Sequence, residues 1–301
     1  MTAAILVDAP IRFQVGARTL VSVPRRLIRI GWTLDEVLAG YPRALPPIGD
    51  ADGFSILSLP EDALGAVAAE GCTTHIRQRY LRYHTDLSIG HAAWLAQMSG
   101  NARSVMKRKA RRLADAGQIE IRGYRTAAEL ADFHALARPL ARRTYQEKLL
   151  GSALPGDAAF LGRMAALGEA DTARAWLLLI DGRPAAYLWC SAQGSALRYD
   201  YVGHDPAFAA LSPGSVLHAE AMRQLFEDRF AYFDFTEGEG QHKRQFATGG
   251  TPCVDLLLLR ASLANRATLA ALARFDGAMT RAKTLAASGL AKRVADRLRR
   301  A

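Results

Sequence analysis

Along this 301-residue chain the spacing of apolar positions changes repeatedly, and each change predicts an element. In residues 1–60 short β-like runs (IRFQV, RTLVSV, LIRIGW, GFSILSL) alternate with proline and glycine punctuation that includes Pro42, Pro46 and Pro47. EDALGAVAAEG predicts a short helix, and residues 73–87 read as a strand. Residues 99–116 predict a basic helix and QIEIRGY a strand. Leu130, Phe133, Leu136, Ala137 and Leu140 recur with helical period, predicting a helix from 127 to about 145. Residues 151–156 read as a loop before a helix that runs to about Gly168. WLLLIDGRPAAYLWC predicts a hairpin with Asp181-Gly182 in its turn.

The pattern then becomes denser in polar groups. In SALRYDYVGHDP, Leu197, Tyr199, Tyr201 and Gly203 alternate with Arg198, Asp200 and Val202, as in a strand. Leu211-Ser212-Pro213-Gly214-Ser215 opens the helix VLHAEAMRQLFEDRF, with Ser212 suited to cap it and Pro213 to its first position. Such a start presents backbone N–H groups to an anion. The aromatic strand AYFDF carries Asp234 into an acidic, glycine-broken turn of Glu237, Gly238, Glu239 and Gly240, followed at once by His242, Lys243, Arg244 and Phe246. Open α/β sheets build their sites at strand ends of this kind. VDLLLLR predicts a last strand, and a helical tail begins near Ala261.

Strands and helices therefore alternate in the manner of an α/β chain, divided as a β-rich half-domain over 1–97, a central domain over 98–260 and a basic helical tail over 261–301. Half the residues are hydrophobic and 23% are charged, the balance of a folded globular chain. The longest apolar runs, AILV and VDLLLL, are too short to cross a bilayer, and the start lacks the features of a signal peptide, so the cytoplasm is the expected location. Cys72, Cys190 and Cys253 are scattered without metal-ligand spacing and read as small buried hydrophobes; no metal is expected.

Net charge of +10 changes the picture only because it is localised. Residues 261–301 hold nine basic and two acidic residues, a net +7, and residues 99–116 hold six and one, a net +5. The remainder is close to neutral, which points to an anionic partner for two helical segments. In the tail Leu290, Val294 and Leu298 recur every four residues with Arg293, Arg297 and Arg300 on other faces. That pattern suits a helix docked on the protein, a solvated face, or contact with an anionic membrane surface at the inner face of the membrane. No helix-turn-helix, zinc-finger or RNA-recognition signature accompanies the charge.

Four segments in order, SGNARSVMKRKARRLADAG, WLLLIDGRPAAYLWC, RYDYVGHDPAFAALSPGSVLHAEAM and FDFTEGEGQHKRQF, resemble the FemAB-like branch of the GNAT N-acyltransferases, the group also described as CelD-type or cellulose-biosynthesis acetyltransferases. The resemblance spans about residues 98 to 259. It implies a mixed sheet splayed open for acyl-CoA, a smaller degenerate N-terminal half, and acetyl-CoA or a related thioester as co-substrate. It also implies an amine acceptor such as an amino sugar or another precursor of exported polysaccharide. By the same analogy pantetheine lies along Tyr199–Gly203, which includes Tyr201 and Val202, and the pyrophosphate rests on Ser212, Gly214 and Ser215, with Arg244 as a further anion contact. The glycine- and arginine-rich pyrophosphate loop of regular GNAT enzymes is replaced here by Ser-Pro-Gly-Ser. Peptidoglycan-bridge relatives imply a second donor, aminoacyl-tRNA, and an inactive adaptor at a membrane polysaccharide assembly is a third reading.

Acyl transfer from a thioester to an amine requires a base, an oxyanion donor and alignment of the reactants. Asp234 is the first candidate base, set against a helix-cap or turn-stabilising role, and Glu237 the second, set against a solvated turn carboxylate. Tyr199 is placed to protonate the departing thiolate or else to pack as a core tyrosine, and one of Tyr199 and Asp200 should face the cleft because neighbours alternate sides. Lys243 and Arg244 are the anion-handling candidates. In the resembling family an aromatic-Lys pair follows the acidic turn; His242-Lys243 stands there in this chain. His242 and His204 are candidate proton carriers near neutral pH that rank below the carboxylates, since a lone loop histidine is more often simply exposed, and His218, inside a helix, reads as packing.

Overall fold

A computed structural model describes residues 5–15, 18–40, 44–67, 71–143, 154–238 and 240–287. Pro42, Tyr145, Gly151, Glu239 and the whole 290–300 register of the tail lie outside the described residues. The chain forms two compact units that interleave along the sequence: one from Thr2–Gly31, Pro42–Gln78 and Val254–Ala301, the other from Trp32–Tyr41 and Arg79–Cys253.

In the first unit, β1 (Ile5–Asp8) pairs antiparallel with β4 (Arg26–Gly31), and β4 pairs parallel with β5 (Gly53–Pro60). The latter part of β12 (Gly249–Arg260) and the opening part of β6 (Cys72–Asp86) continue that sheet. β2 (Ile11–Val15) and β3 (Arg18–Val23) make a separate hairpin. The C-terminal helix α8 (Leu263–Ala287) supplies Leu269 and Leu272 to a core with Ile11, Leu27, Leu257 and Leu259, and Phe275 meets Phe13 edge-on at 5.5 Å. The segment EDALGAV is a 3₁₀ helix rather than an α-helix, as suits a piece of about two turns. β12 starts five residues before the apolar run VDLLLLR, because Gly249, Gly250 and Pro252 hide a strand start.

The second unit is a mixed sheet in the order β6, β11 (Tyr232–Asp234), β10 (Ala196–His204), β9 (Arg183–Gln193), β8 (Ala173–Ile180), β7 (Ile119–Tyr124). Every residue of β8 is buried, because helices cover both faces. On one face α3 (Gly100–Ala114) and α6 (Pro213–Leu225) close a core around Leu113, Leu178, Leu188, Leu217 and Met222. On the other, α4 (Ala127–Ala141) and α5 (Ala158–Glu169) pack Phe133, Leu140 and Phe160 against Leu177, Tyr187 and Trp189. The hairpin turns at Asp181 (φ 48°) and Gly182 (φ 73°), the paired left-handed backbone of a type I′ turn. Short helices α1 (Leu34–Ala39), α2 (His91–Gln97) and α7 (Gln241–Phe246) carry too few residues for a visible period. Cys190 and Cys253 are buried, and Cys72 is half-buried. The α/β fold, with its mixed sheet flanked by helices and its C-terminal helix, agrees with the expectation from sequence.

Among the described residues no helix is long and apolar enough to cross a membrane, and no three His, Cys, Asp or Glu side chains stand close enough to hold a metal ion.

Candidate active site

The sheet opens between β10 and β11. They pair in parallel at only three positions, Ala196–Tyr232, Leu197–Phe233 and Arg198–Asp234, after which β11 ends and β10 runs on to His204. β10 is also bulged: Tyr199 is opposite Cys190 and Tyr201 opposite Trp189, which leaves Asp200 as the extra residue. In a regular strand Tyr199 and Tyr201 would share a face. The bulge separates them. Tyr199 packs towards α6, stacked on His218 at 5.3 Å, while Tyr201 meets Phe160 of α5 edge-on at 5.8 Å. Val202 joins the α6-facing core. Asp200 accepts from the Ser191 N–H at 3.0 Å and from its hydroxyl, and pairs with Arg198 at 3.5 Å; burial raises its pKa against those contacts.

Helix α6 starts differently from the sequence expectation. Ser212 makes no side-chain cap. It ends the 3₁₀ turn Pro206–Leu211 in left-handed conformation (φ 55°), whereas capping side chains work from extended backbone. Its carbonyl instead accepts from the N–H groups of Ser215 (3.0 Å) and Val216 (3.4 Å). A side chain at Gly214 would meet no atom within 4 Å, so this helix start faces open space.

That space adjoins a cavity of about 500 Å³ between α3, α6 and α7. Val105, Met106, Val216 and Ala219 give it apolar walls; Lys107, Lys109, Ser215, His242 and Gln245 give it polar ones. Lys109 donates to the Ser215 hydroxyl at 3.0 Å, which holds an ammonium at the positive end of the α6 dipole. Two sources of positive potential so converge on one corner. Arg103, on the same basic helix, does different work: it donates to the Met98 carbonyl at 2.8 Å and closes the end of α2.

The acidic turn is framed from beneath. Asp234 has no exposed surface and takes a forked pair of bonds from Arg82, at 3.2 and 2.6 Å, plus the Thr236 N–H at 2.9 Å. Arg82 also donates to the Trp32 carbonyl at 2.7 Å, which completes its partners. Thr236 (φ 58°) and Gly238 (φ 85°) turn the chain left-handed, and the buried Lys243 ammonium pins the turn by donating to the carbonyls of Phe235 at 2.7 Å and Glu237. Burial lowers the Lys243 pKa, and the nearby Glu237 and Asp234 carboxylates partly restore it. Glu237 and Arg244 are exposed; Arg244 lines a separate, smaller cavity with Trp94 and Ser99. The Phe246 carbonyl accepts from Trp94 Nε1 at 2.8 Å and Thr85 Oγ1 at 2.9 Å, so α7 is tied down at its far end.

Above this frame lies an aromatic stack. His218 is sandwiched between Tyr199 and Phe246 (4.4 Å), and His242 closes the group at 5.9 Å from Tyr199 and 6.4 Å from His218. Burial drives the His218 pKa down to about 3, so its ring is neutral and packs as an aromatic. Burial raises that of Tyr199, which keeps its phenol protonated. The structure thus brings Ser215 and His242 onto one cavity with Tyr199 adjacent to His242. Asp234 and Lys243 sit under the turn, and Asp200 and Tyr201 belong to other surroundings. Arg82 was not foreseen; its signal is a lone cation in the otherwise apolar and aromatic run YLRYH.

Residues 100–244 match the family of acetyltransferase (GNAT) domains. That domain makes the protein an N-acyltransferase. The fold is similar to the C-terminal domain (DUF2156) of a putative lysylphosphatidylglycerol synthetase from Agrobacterium fabrum, with 12% identity, 79% of this chain and 74% of that one covered, and a TM-score of 0.51. It is similar also to FemX, with 12% identity, coverage of 84% and 88%, and a TM-score of 0.50. At such identities the likeness concerns the fold, and it agrees with the FemAB-like character implied by the sequence. No curated protein matches the chain.

Proposed function

We propose that this protein transfers an acetyl or other acyl group from acyl-CoA directly to an amine, with an amino sugar or a related polysaccharide precursor as acceptor. The observation that carries this reading is the corner where Lys109 meets Ser215 at the open start of α6. The helix dipole and the lysine ammonium groups there suit a pyrophosphate, and the apolar walls beside them suit a pantetheine arm. The β10 stretch beyond Arg198, no longer paired with β11, offers backbone groups to the same arm. Tyr199, kept protonated by burial, is placed in this reading to donate to the departing thiolate. Asp234 and Lys243 act as positioning residues, since their polar atoms already hold the turn.

Aminoacyl-tRNA is the second donor to consider, because Arg108, Arg111 and Arg112 of α3 are exposed and do not line the cavity. Isothermal titration separates the two. Saturable binding of acetyl-CoA, weakened by Lys109→Ala, is the expected result. Binding of charged tRNA without binding of acetyl-CoA would replace the first donor by the second.

A further inference from the structure

We propose that His242 is the proton acceptor for the attacking amine. The inference rests on the acyl-transfer reading above and names its base.

The other candidates are already committed. Both oxygens of Asp234 are held by Arg82, and one also takes the Thr236 N–H. Asp200 is engaged by Ser191 and Arg198 on a bulge directed elsewhere. Glu237 is on the outside of the turn and does not line the cavity. His218 is buried in the aromatic stack. Of the cavity-lining residues, the titratable ones are Lys107, Lys109 and His242, and the imidazole is the one that ordinarily carries a free lone pair near neutral pH.

The position of this ring is built rather than incidental. A Cβ on Gly240 would stand 2.9 Å from His242 Cε1 and 3.0 Å from Nδ1. Gly240 has extended backbone (φ −162°), so conformation alone does not demand glycine. What demands it is the imidazole folded back against its Cα. Across the ring stand Tyr199 of β10 and His218 of α6, so the side chain is seated on three elements and open towards the cavity.

Charge around the ring favours its neutral form. Lys243 follows it on α7, Lys107 and Lys109 line the same cavity from α3, His218 and Tyr199 are uncharged, and the Glu237 carboxylate acts on Lys243. Desolvation against its neighbours and then the Lys243 charge lower the His242 pKa below the usual imidazole value. In the reaction the amine lone pair forms the N–C bond to the thioester carbonyl, and the ring takes the ammonium proton. The C–S bond then breaks with its electron pair leaving on sulfur. Tyr199 protonates the thiolate, the imidazolium passes its proton to the resulting tyrosinate directly or through water, and both rings return to their neutral forms.

The test uses the full-length protein, acetyl-CoA and a panel of amino sugars and primary alkylamines, with acetylated product measured by mass spectrometry. His242→Gln is expected to lower kcat by about a hundredfold, within the range of general-base contributions. KM for acetyl-CoA should stay within about threefold, because removing a base leaves uniform binding of the donor unchanged. The acidic limb of the wild-type pH–rate profile should vanish. Gly240→Ala, which displaces the ring without removing it, is expected to lower kcat while leaving the unfolding midpoint close to wild type. A His242→Gln enzyme with kcat within threefold of wild type, or with the same acidic limb, overturns the assignment. Wild-type protein that acetylates none of the amines overturns the acyl-transfer reading itself, a separable failure.

Discussion

The closed side of the second unit, from β7 to β9, and its open side, from β10 to the start of α7, follow opposite rules. β8 and β9 are paired along almost their full length and buried on both faces. β10 and β11 share three pairs. On the closed side apolar contacts are dense and the buried Arg174 pairs with Asp171 and Asp228 near the start of β8; on the open side a fork of charge, a pinned lysine and two left-handed residues hold a short turn in place. One side derives its rigidity chiefly from packing, the other from polar contacts around a gap. A sheet that is to admit a ligand cannot close its core across the opening, so polar framing stands in for it.

Removing one partner of the framing ion pair should therefore give the largest effect. Asp234→Ala leaves the buried Arg82 guanidinium uncompensated and is expected to cost about 3–5 kcal/mol, read by denaturant unfolding. A loss below about 1 kcal/mol would show that the turn does not depend on this pair. Leu177→Ala on the closed side should cost about 2–5 kcal/mol through the cavity it leaves, with the KM for acetyl-CoA unchanged. If KM rose as much as stability fell, the two sides would not be separable.

Acid should distinguish the sides by degrees. His218 titrates at about 3 in the folded chain and near 6.5 when unfolded, so between those values the unfolded state binds more protons. Stability is then highest above pH 6.5 and falls as pH drops towards 3, by at most about 1.4 kcal/mol per pH unit from this group. His218→Phe should flatten that slope, and an unchanged slope would move its cause elsewhere. Lys109→Ala is expected to have the smallest consequence: KM for acetyl-CoA up about tenfold, from loss of one charge-assisted contact, with stability within about 0.5 kcal/mol of wild type. A wild-type KM would remove the donor phosphates from that corner.

Legibility in the sequence divides along the same line. The Asp181-Gly182 hairpin, the helix at Pro213 and the strand carrying Tyr199 were readable because period, turn chemistry and helix-start rules act within a few residues. The bulge at Asp200 was not: alternation assigns Tyr199 and Tyr201 to one face, and a single inserted residue breaks that count. Nor was the fate of Asp234, whose partner Arg82 is 152 positions away. Ser212 shows a local rule overridden, because the preceding 3₁₀ turn fixes its backbone before capping can. Lys109 was visible as part of a basic helix, but its meeting with Ser215 depends on how two helices pack.

The three thiols offer a clock for the molecule. With Cys190 and Cys253 sealed inside the second unit, a chromogenic disulfide reagent should find only Cys72 in native protein. A colour yield rising from one equivalent to three would then time the opening of that unit.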